Sequence, residues 1–334
     1  MKKAIVPICI VLFILVVVIV NSFGNEPRRP RSQSSGNPQP SRFVGDYSPS
    51  EEATSNDDND GSEMITIIGA PDTSESNPST DVETSAPLLV KSSKVRAEHI
   101  LHRIAYTTSY NKETRNANWV SWSLTREHTD GPFSRKGVPY CDEKGKALGI
   151  SSFSPEIVRY SYFMDMQAPR PRQEHSDWRD HPADIDHGHM CPAADCRWSK
   201  EVMNQSFLLT NMCPQNHTLN EDDWNTLEER CRTWANKYGE IFIVAGPIFY
   251  DGVKNTFGAN RIAIPDAFFK VILCMRSTPK AIGFIYKNDA SRQPMRNQVK
   301  SVDEVEEITG FDFFYNLPDE IEDNIEAKAS LSDW

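Results

Sequence analysis

Residues 184–232 read DIDHGHMCPAADCRWSKEVMNQSFLLTNMCPQNHTLNEDDWNTLEERCR, a stretch that places histidines, amides and charged residues between short apolar segments. Residues 185–190 are predicted to form a strand, in which alternate side chains share one face, so that His187, His189 and Cys191 point the same way. Gly188 leaves space beside the two rings. We interpret the whole stretch as an active site.

A helix is predicted over residues 221–238, with Asn220 as its N-cap and Gly239 as its end. Glu228 and Arg232 stand four residues apart beside its buried stripe, so a carboxylate and a guanidinium are presented together. Strand, loop and helix thus bring a histidine close to an amide and to this charged pair. The stripe consists of residues at spacings of three and four, namely Trp224, Leu227, Cys231, Trp234 and Tyr238.

Two linked motifs carry a resemblance to a known family. The first is DHGHMCPAAD at residues 186–195, and the second is TNMCPQ at residues 210–215, followed by the predicted helix. They resemble the DNA/RNA non-specific endonucleases, the ββα-metal nucleases that include secreted sugar-non-specific nucleases and endonuclease G. Weaker family-like phrases extend the resemblance over residues 95–325. It implies an α+β fold with a mixed central β-sheet, attached helices and a ββα-metal active-site motif.

The resemblance implies hydrolysis of phosphodiester bonds with a bound divalent cation. His189 is the implied general base, and its ordinary pKa of about 6.5 suits proton acceptance at neutral pH. Asn220 is the implied protein ligand of Mg²⁺, with Mn²⁺ as an alternative, because an amide with several waters suits an ion that dehydrates reluctantly. Glu228 is implied to orient the water around the ion.

Substrate binding is assigned to Arg232, Asn211 and His187. Arg232 is expected to bind the negatively charged phosphate through its planar guanidinium. Asn211 matches a family residue that braces the site. His187 stands where the family usually has arginine, which leaves both a phosphate contact and structural filling open. Structural alternatives exist for the others too: Asn220 as a simple cap, and Glu228 with Arg232 as a surface ion pair.

A zinc site is the alternative to a hard ion. His187, His189, Cys191 and Cys196 offer soft ligands, whereas the oxygen atoms of Asn220 and Glu228 favour magnesium. Three functions therefore remain open. They are endonuclease action on DNA and RNA with little sequence preference, phosphodiesterase or pyrophosphatase action on smaller substrates, and nucleic-acid binding by a catalytically weakened surface protein.

The N-terminal part has a different composition. Two lysines and a 17-residue apolar run at residues 4–20 predict a signal peptide or an N-terminal membrane anchor over residues 1–22. Residues 23–92 are predicted to be a disordered, acidic, Ser/Pro/Asn-rich linker. The endonuclease domain is predicted over residues 93–326, with a tail at 327–334. We expect export to the periplasmic or extracellular side, with membrane contact if the N-terminal segment is not cleaved.

Residues 91–300, which make up most of the predicted domain, do not share the acidity of the chain. The net charge is −11, but residues 91–300 carry +5, so the acidity of the whole chain does not argue against a polyanionic substrate.

The seven cysteines are compatible with disulfides, although their spacing does not determine how they would pair. Cys231 is interpreted as a small hydrophobe of the helix. Residues 94–105 are either a short helix or an entry strand. Strands are predicted at residues 118–124, 157–164, 240–249, 263–264, 268–275 and 281–286, and a late helix at 302–308.

Overall fold

Segments rich in β-branched and aromatic residues form the centre of the fold. The computed structural model describes residues 90–141, 161–276 and 278–334. Among these residues the largest sheet has seven strands, and every neighbouring pair in it is antiparallel. The strands in chain order are β1 (Val90–Ser92), β2 (His99–His102), β3 (Thr107–Asn111), β4 (Asn116–Thr125), β5 (Ile185–His189), β6 (Met212–Asn216), β7 (Glu240–Ile248), β8 (Asn255–Phe257), β9 (Ile262–Ile264), β10 (Ala267–Cys274), β11 (Lys280–Lys287), β12 (Val299–Lys300) and β13 (Phe311–Phe313).

The order of the large sheet is β12-β11-β10-β7-β4-β3-β2. Every residue of β10 is buried, because both faces of the sheet are covered. Successive side chains of a strand point to opposite faces, so Ile272 belongs to the apolar cluster on one face and Val271 to the cluster on the other. The strands β1 and β13, β5 and β6, and β8 and β9 form three smaller antiparallel pairs.

Helices cover the two faces of the sheet. The α-helices of the described residues are α1 (Arg126–Thr129), α2 (Lys200–Gln205), α3 (Asn225–Tyr238), α4 (Val302–Thr309) and α5 (Asp319–Glu326). The apolar stripe of α3 packs into the cluster that contains Ile272. The other cluster takes Val305 of α4 and Ile325 of α5. Gly239 ends α3 with a φ of 89°, a conformation that glycine adopts without strain.

The hairpin of β5 and β6 and the helix α3 form a ββα unit. His189 lies opposite Met212 in the register of the hairpin, and a π-helical turn at Leu219–Trp224 leads from β6 into α3. The close packing of the hairpin requires Gly188, because a Cβ atom there would lie 2.5 Å from Cβ of Gln215. This unit joins the predicted strand and helix at one place.

The predicted fold class is confirmed, with the sheet antiparallel throughout the described strands instead of mixed. The predictions for residues 118–124, 240–249, 263–264, 268–275, 281–286 and 302–308 correspond to β4, β7, β9, β10, β11 and α4. Residues 94–105 contain the strand β2 and no helix. Residues 157–160 lie outside the described residues, and at 161–164 the predicted strand is reduced to a bridge between Phe163 and Leu208.

The predictions for the two ends of the chain have different outcomes. Residues 1–89, which hold the predicted leader and nearly all of the linker, lie outside the described residues. Within the described part, no helix is both long and apolar enough to cross a membrane. The predicted C-terminal tail at 327–334 packs on the domain, since Trp334 is buried against Trp234 with a centroid distance of 4.9 Å.

Candidate active site

His189 lies at the end of β5, where the hairpin meets the loop that leads to α2. The residue is 8% exposed, and Phe207 packs edge-on against its ring with a centroid distance of 4.9 Å. Its Nε2 atom is buried and has no hydrogen-bond partner among the described residues. Burial, followed by the charge of Arg135, lowers the pKa of His189 to about 3. The ring is therefore neutral at neutral pH and can accept a proton.

Asn220 lies in the π-helical turn before α3, and its amide is fixed by Asp186. The amide nitrogen of Asn220 donates to Oδ2 of Asp186 over 3.0 Å, which leaves the amide oxygen as the atom that can face a cation. The prediction that Asn220 is an N-cap is wrong. Helical structure already precedes it, and Asn220 is an interior residue of the turn because the chain enters the helix one π-helical turn earlier than the apolar stripe indicates.

Glu228 is partly buried on the first turn of α3 and lines the same cleft as His189 and Asn220. Burial raises the pKa of Glu228 to about 7, the charge of Lys270 opposes the rise, and the carboxylate of Asp195 adds to it. A carboxylate with a pKa near neutrality gains stability from a cation, because the cation favours its ionised form.

Arg232 forms an ion pair with Asp195, not with Glu228. Its Nη1 atom donates to Oδ1 of Asp195 over 3.1 Å, and the Asp195 side chain is 1% exposed. Trp122 donates its indole N–H to the other oxygen of Asp195 over 3.1 Å. The surface ion pair of Glu228 with Arg232, which was the structural alternative for these residues, is therefore not formed, and both side chains line the cleft. Asp195 holds the guanidinium in place because its own two oxygens are fixed.

The charge of Lys270 on β10 favours the ionised forms of the Glu228 and Asp195 carboxyl groups, a role that the sequence does not reveal. The residue has no exposed surface, and its Nζ atom has no hydrogen-bond partner among the described residues. Nζ lies 4.4 Å from the centroid of the Trp224 ring, at a distance typical of a cation–π contact. Its charge opposes the rise in the pKa of both Glu228 and Asp195.

The side chains of His189, Asn220, Glu228 and Arg232 line one cleft with a volume of about 610 Å³. Three of its lining residues are arginines, and two of them, Arg135 and Arg197, were not predicted as site residues. Arg135 contributes from the segment after α1 and Arg197 from the segment before α2. No local signal marks either arginine, because each reaches the cleft only through the tertiary fold. The cleft is lined by Ser134, Arg135, His189, Pro192, Ala193, Ala194, Arg197, Met203, Asn220, Glu221, Asn225, Glu228 and Arg232.

His187 is absent from this lining, so the predicted phosphate contact does not match its position. Its ring stacks on Trp178 at 3.6 Å and on Tyr162 at 4.1 Å between centroids. Burial, followed by neighbouring histidines, lowers the pKa of His187 to about 3. The side chain is therefore a neutral layer in an aromatic stack at neutral pH, which corresponds to the structural alternative for this residue.

Asn211 is fully buried and does not line the cleft, which corrects its assignment to substrate binding. Its amide nitrogen donates to the backbone oxygens of Cys191 and Ser206, over 2.9 and 2.8 Å. Its amide oxygen accepts from the backbone N–H of Cys191 over 2.9 Å. Asn211 therefore braces the chain immediately after His189, as the resemblance implies.

The zinc alternative finds no ligand cluster in this region. His187 and His189 do not converge with Cys191 and Cys196; among the described residues, the group that could hold a metal by His, Cys, Asp or Glu side chains lies elsewhere. The six described cysteines are all buried, and no disulfide bond joins any two of them. Cys231 packs in the core as a small hydrophobe, as predicted.

The chain is similar to a known family and to several known proteins. The family model described as DNA/RNA non-specific endonuclease matches residues 85–320. "Nuclease 1, mitochondrial" of Schizosaccharomyces pombe is 30% identical over 234 residues, which cover 64% of this chain and 65% of that protein. "Endonuclease G, mitochondrial" of Homo sapiens is 31% identical over 180 residues, which cover 51% of this chain and 53% of that protein.

The fold is also similar to that of a solved structure. A crystal structure of the EndoG/EndoGI complex superimposes with a TM-score of 0.54 and 26% identity, over 67% of this chain and 89% of that chain. The chain thus spans between half and two thirds of the length of the two curated relatives, and most of the solved structure.

Proposed function

Because the chain belongs to the DNA/RNA non-specific endonuclease family, we propose that it is a metal-dependent endonuclease that hydrolyses phosphodiester bonds of DNA and RNA with little sequence preference. One observation carries this proposal: His189, Asn220, Glu228 and Arg232 come from three separate segments and line a single cleft. A base, an oxygen ligand, a carboxylate and a phosphate-binding cation are the groups that hydrolysis of an anionic diester requires.

The donor set fits a hard divalent cation. Asp186 takes the amide nitrogen of Asn220, so an oxygen is offered to the cleft, and the carboxylate of Glu228 lines the same space. Oxygen ligands suit Mg²⁺, with Mn²⁺ as the alternative ion. When bound there, the cation would supply charge neutralisation at the phosphate oxygens and at the departing oxygen.

His189 acts as the general base in this proposal. It is neutral at neutral pH, because burial depresses its pKa, and the approach of an anionic phosphate raises that pKa since negative charge favours the imidazolium. The ring therefore becomes a better proton acceptor when substrate is bound. Asn211 holds the backbone at Cys191, which keeps the ring at the cleft wall.

Glu228 and Arg232 have complementary roles. Glu228 accepts hydrogen bonds from water near the cation and orients that water. Arg232 binds a phosphate oxygen with the donors that its ion pair with Asp195 leaves available. Arg135 and Arg197 extend the positive charge along the cleft. Contacts to phosphate carry no base information, which supports weak sequence preference.

The test is digestion of supercoiled plasmid, structured RNA and a dinucleotide by the protein, with Mg²⁺ and with a chelator. Mg²⁺-dependent conversion of plasmid and RNA to fragments supports the endonuclease. Turnover of the dinucleotide alone would assign the site to small phosphodiesters instead. Retention of DNA without turnover, in a protein that binds Mg²⁺, would identify a nucleic-acid-binding protein and overturn the proposal.

We also propose that the endonuclease domain, at residues 93–326, is exported behind the N-terminal segment at 1–22 and the linker at 23–92. The support is sequence alone, namely the basic start and the apolar run at residues 4–20. Cell fractionation with mass spectrometry of the mature N-terminus tests this proposal. A full-length chain in the soluble cytoplasmic fraction would exclude it.

A further inference from the structure

Three carboxylates converge where α4 and α5 meet, away from the cleft. Asp303 and Glu306 lie on α4, and Glu326 is the last residue of α5. Each offers a carboxylate oxygen, and these oxygens lie within 4.8 Å of one another. Both helices cover the sheet face opposite α3, so this cluster is separate from His189, Asn220 and Glu228.

Glu326 is the residue that sets this cluster apart from an ordinary acidic surface. It is 4% exposed, and its Oε1 atom is buried without a hydrogen-bond partner among the described residues. A buried carboxylate oxygen without a partner is strongly destabilising unless something neutralises it. Within the described part of the chain, none of the three residues forms an ion pair with lysine or arginine.

The neighbouring carboxylates make the ionised form of Glu326 still less stable. Burial raises the pKa of Glu326 to about 9, and the neighbouring carboxylates, with Glu306 first, act in the same direction. Burial likewise raises the pKa of Glu306 to about 7, and Asp312, Asp303 and Glu322 add to this rise. The cluster is stable only when a proton or a cation compensates this negative charge.

We propose that Asp303, Glu306 and Glu326 bind a hard divalent cation of the calcium type. The donors are exclusively oxygen atoms from two helices, a set that suits a cation with six to eight oxygen ligands and tolerant geometry, with water completing the shell. One oxygen of Glu306 accepts from the backbone N–H of Phe313 over 2.7 Å, so its other oxygen is available to the ion. The exposed Asp303 gives the ion an entry from solvent.

The cation would fasten α5 to α4. Ile325, next to Glu326, belongs to the same apolar cluster as Val302 and Val305 of α4, so the ion would hold this packing together. Its expected effect is on stability and not on catalysis. Ca²⁺ that binds only the folded state, at a concentration 100 times its Kd, is expected to raise the Tm by about 5 to 10 °C.

Thermal unfolding of the metal-free protein is measured with Ca²⁺, with Mg²⁺ and with chelator alone. The test variants are Glu326→Gln, which removes the buried ionisable carboxyl, and Asp303→Asn, which changes an exposed side chain. Glu320→Gln, on the exposed side of α5, is the matched control. Every variant is also made in an Asn220→Ala background, which separates this site from the cleft.

A Ca²⁺-dependent rise in Tm that survives Asn220→Ala and Glu320→Gln, and that Asp303→Asn and Glu326→Gln both remove, supports the site. Equal Tm values with Ca²⁺ and with chelator in the unmodified protein would overturn it. A Ca²⁺ effect that persists in Asp303→Asn and Glu326→Gln would also overturn it. If Glu326→Gln alone raises the Tm and Ca²⁺ has no effect, a proton holds the cluster and the proposal is wrong.

Discussion

Replacing Asp186 with asparagine tests how the proposed ligand Asn220 is oriented. The carboxylate of Asp186 accepts the amide nitrogen of Asn220 over 3.0 Å, and its side chain is 32% exposed. A hydrogen bond to a charged group contributes about 1.5 to 3 kcal/mol, and partial exposure favours the lower value. Asparagine keeps an acceptor oxygen but loses the charge, so the hydrogen bond weakens by about 1 kcal/mol. The preference for the cation-facing orientation then falls about fivefold, since about 1.4 kcal/mol corresponds to a factor of ten.

The assay is the initial rate of plasmid cleavage as a function of Mg²⁺ concentration. The Mg²⁺ concentration for half-maximal rate is expected to rise about fivefold, which is less than the roughly 10- to 100-fold effect of removing a residue that orients a metal ligand altogether. The rate at saturating Mg²⁺ is expected to stay close to that of the unmodified protein. Asp186 also accepts from His217 and holds the pKa of that exposed ring above its ordinary value, so an NMR titration of His217 verifies the local change.

Asp184→Asn is the matched control. Oδ2 of Asp184 likewise accepts from an asparagine amide, that of Asn216 over 3.2 Å, but neither residue lines the cleft. Its Mg²⁺ dependence is expected to be unchanged. If Asp186→Asn leaves the Mg²⁺ dependence unchanged, or if Asp184→Asn shifts it equally, orientation of Asn220 by Asp186 is refuted.

Three further predictions follow from buried groups. His189→Ala is expected to lower turnover by about 10² to 10⁴ without unfolding the protein; comparable rates in a folded variant, judged by circular dichroism, would remove His189 from the mechanism. Lys270→Met is expected to raise the pKa of Glu228 further, so activity falls at pH 7 and recovers at higher pH, while the Tm is maintained or increased because an unpaired buried charge is lost. An unshifted pH–rate profile would contradict this electrostatic role. The folded-state pKa of His187 lies near 3 and its unfolded value near 6.5, so the unfolded chain binds more protons in this window and stability falls as the pH drops from about 6.5 towards 3. His187→Phe keeps the stack with Trp178 and should reduce this slope by about 1.4 kcal/mol per pH unit in urea unfolding; an equal slope would show that His187 does not stay neutral in the folded state.

Local sequence was sufficient for the parts of the site that lie close together in the chain. His189 ends a strand and Glu228 and Arg232 share one face of a helix, and strand alternation and helical periodicity predict both arrangements. The central strands β7 and β10 were predictable for the same reason, because both are apolar runs of strand length. The start of the helical segment could not be predicted from the sequence, because a π-helical turn has no periodic pattern of its own.

Tertiary structure alone decided which charges meet. Arg232 pairs with Asp195 across 37 residues, and Lys270 and Arg135 reach the site from distant segments. The position of His187 likewise depends on Tyr162 and Trp178, which no local pattern connects to it. Periodicity determines the direction of a side chain relative to its own strand or helix. Long-range electrostatic partners depend on how separate segments are packed, and that packing follows from burial of the whole core.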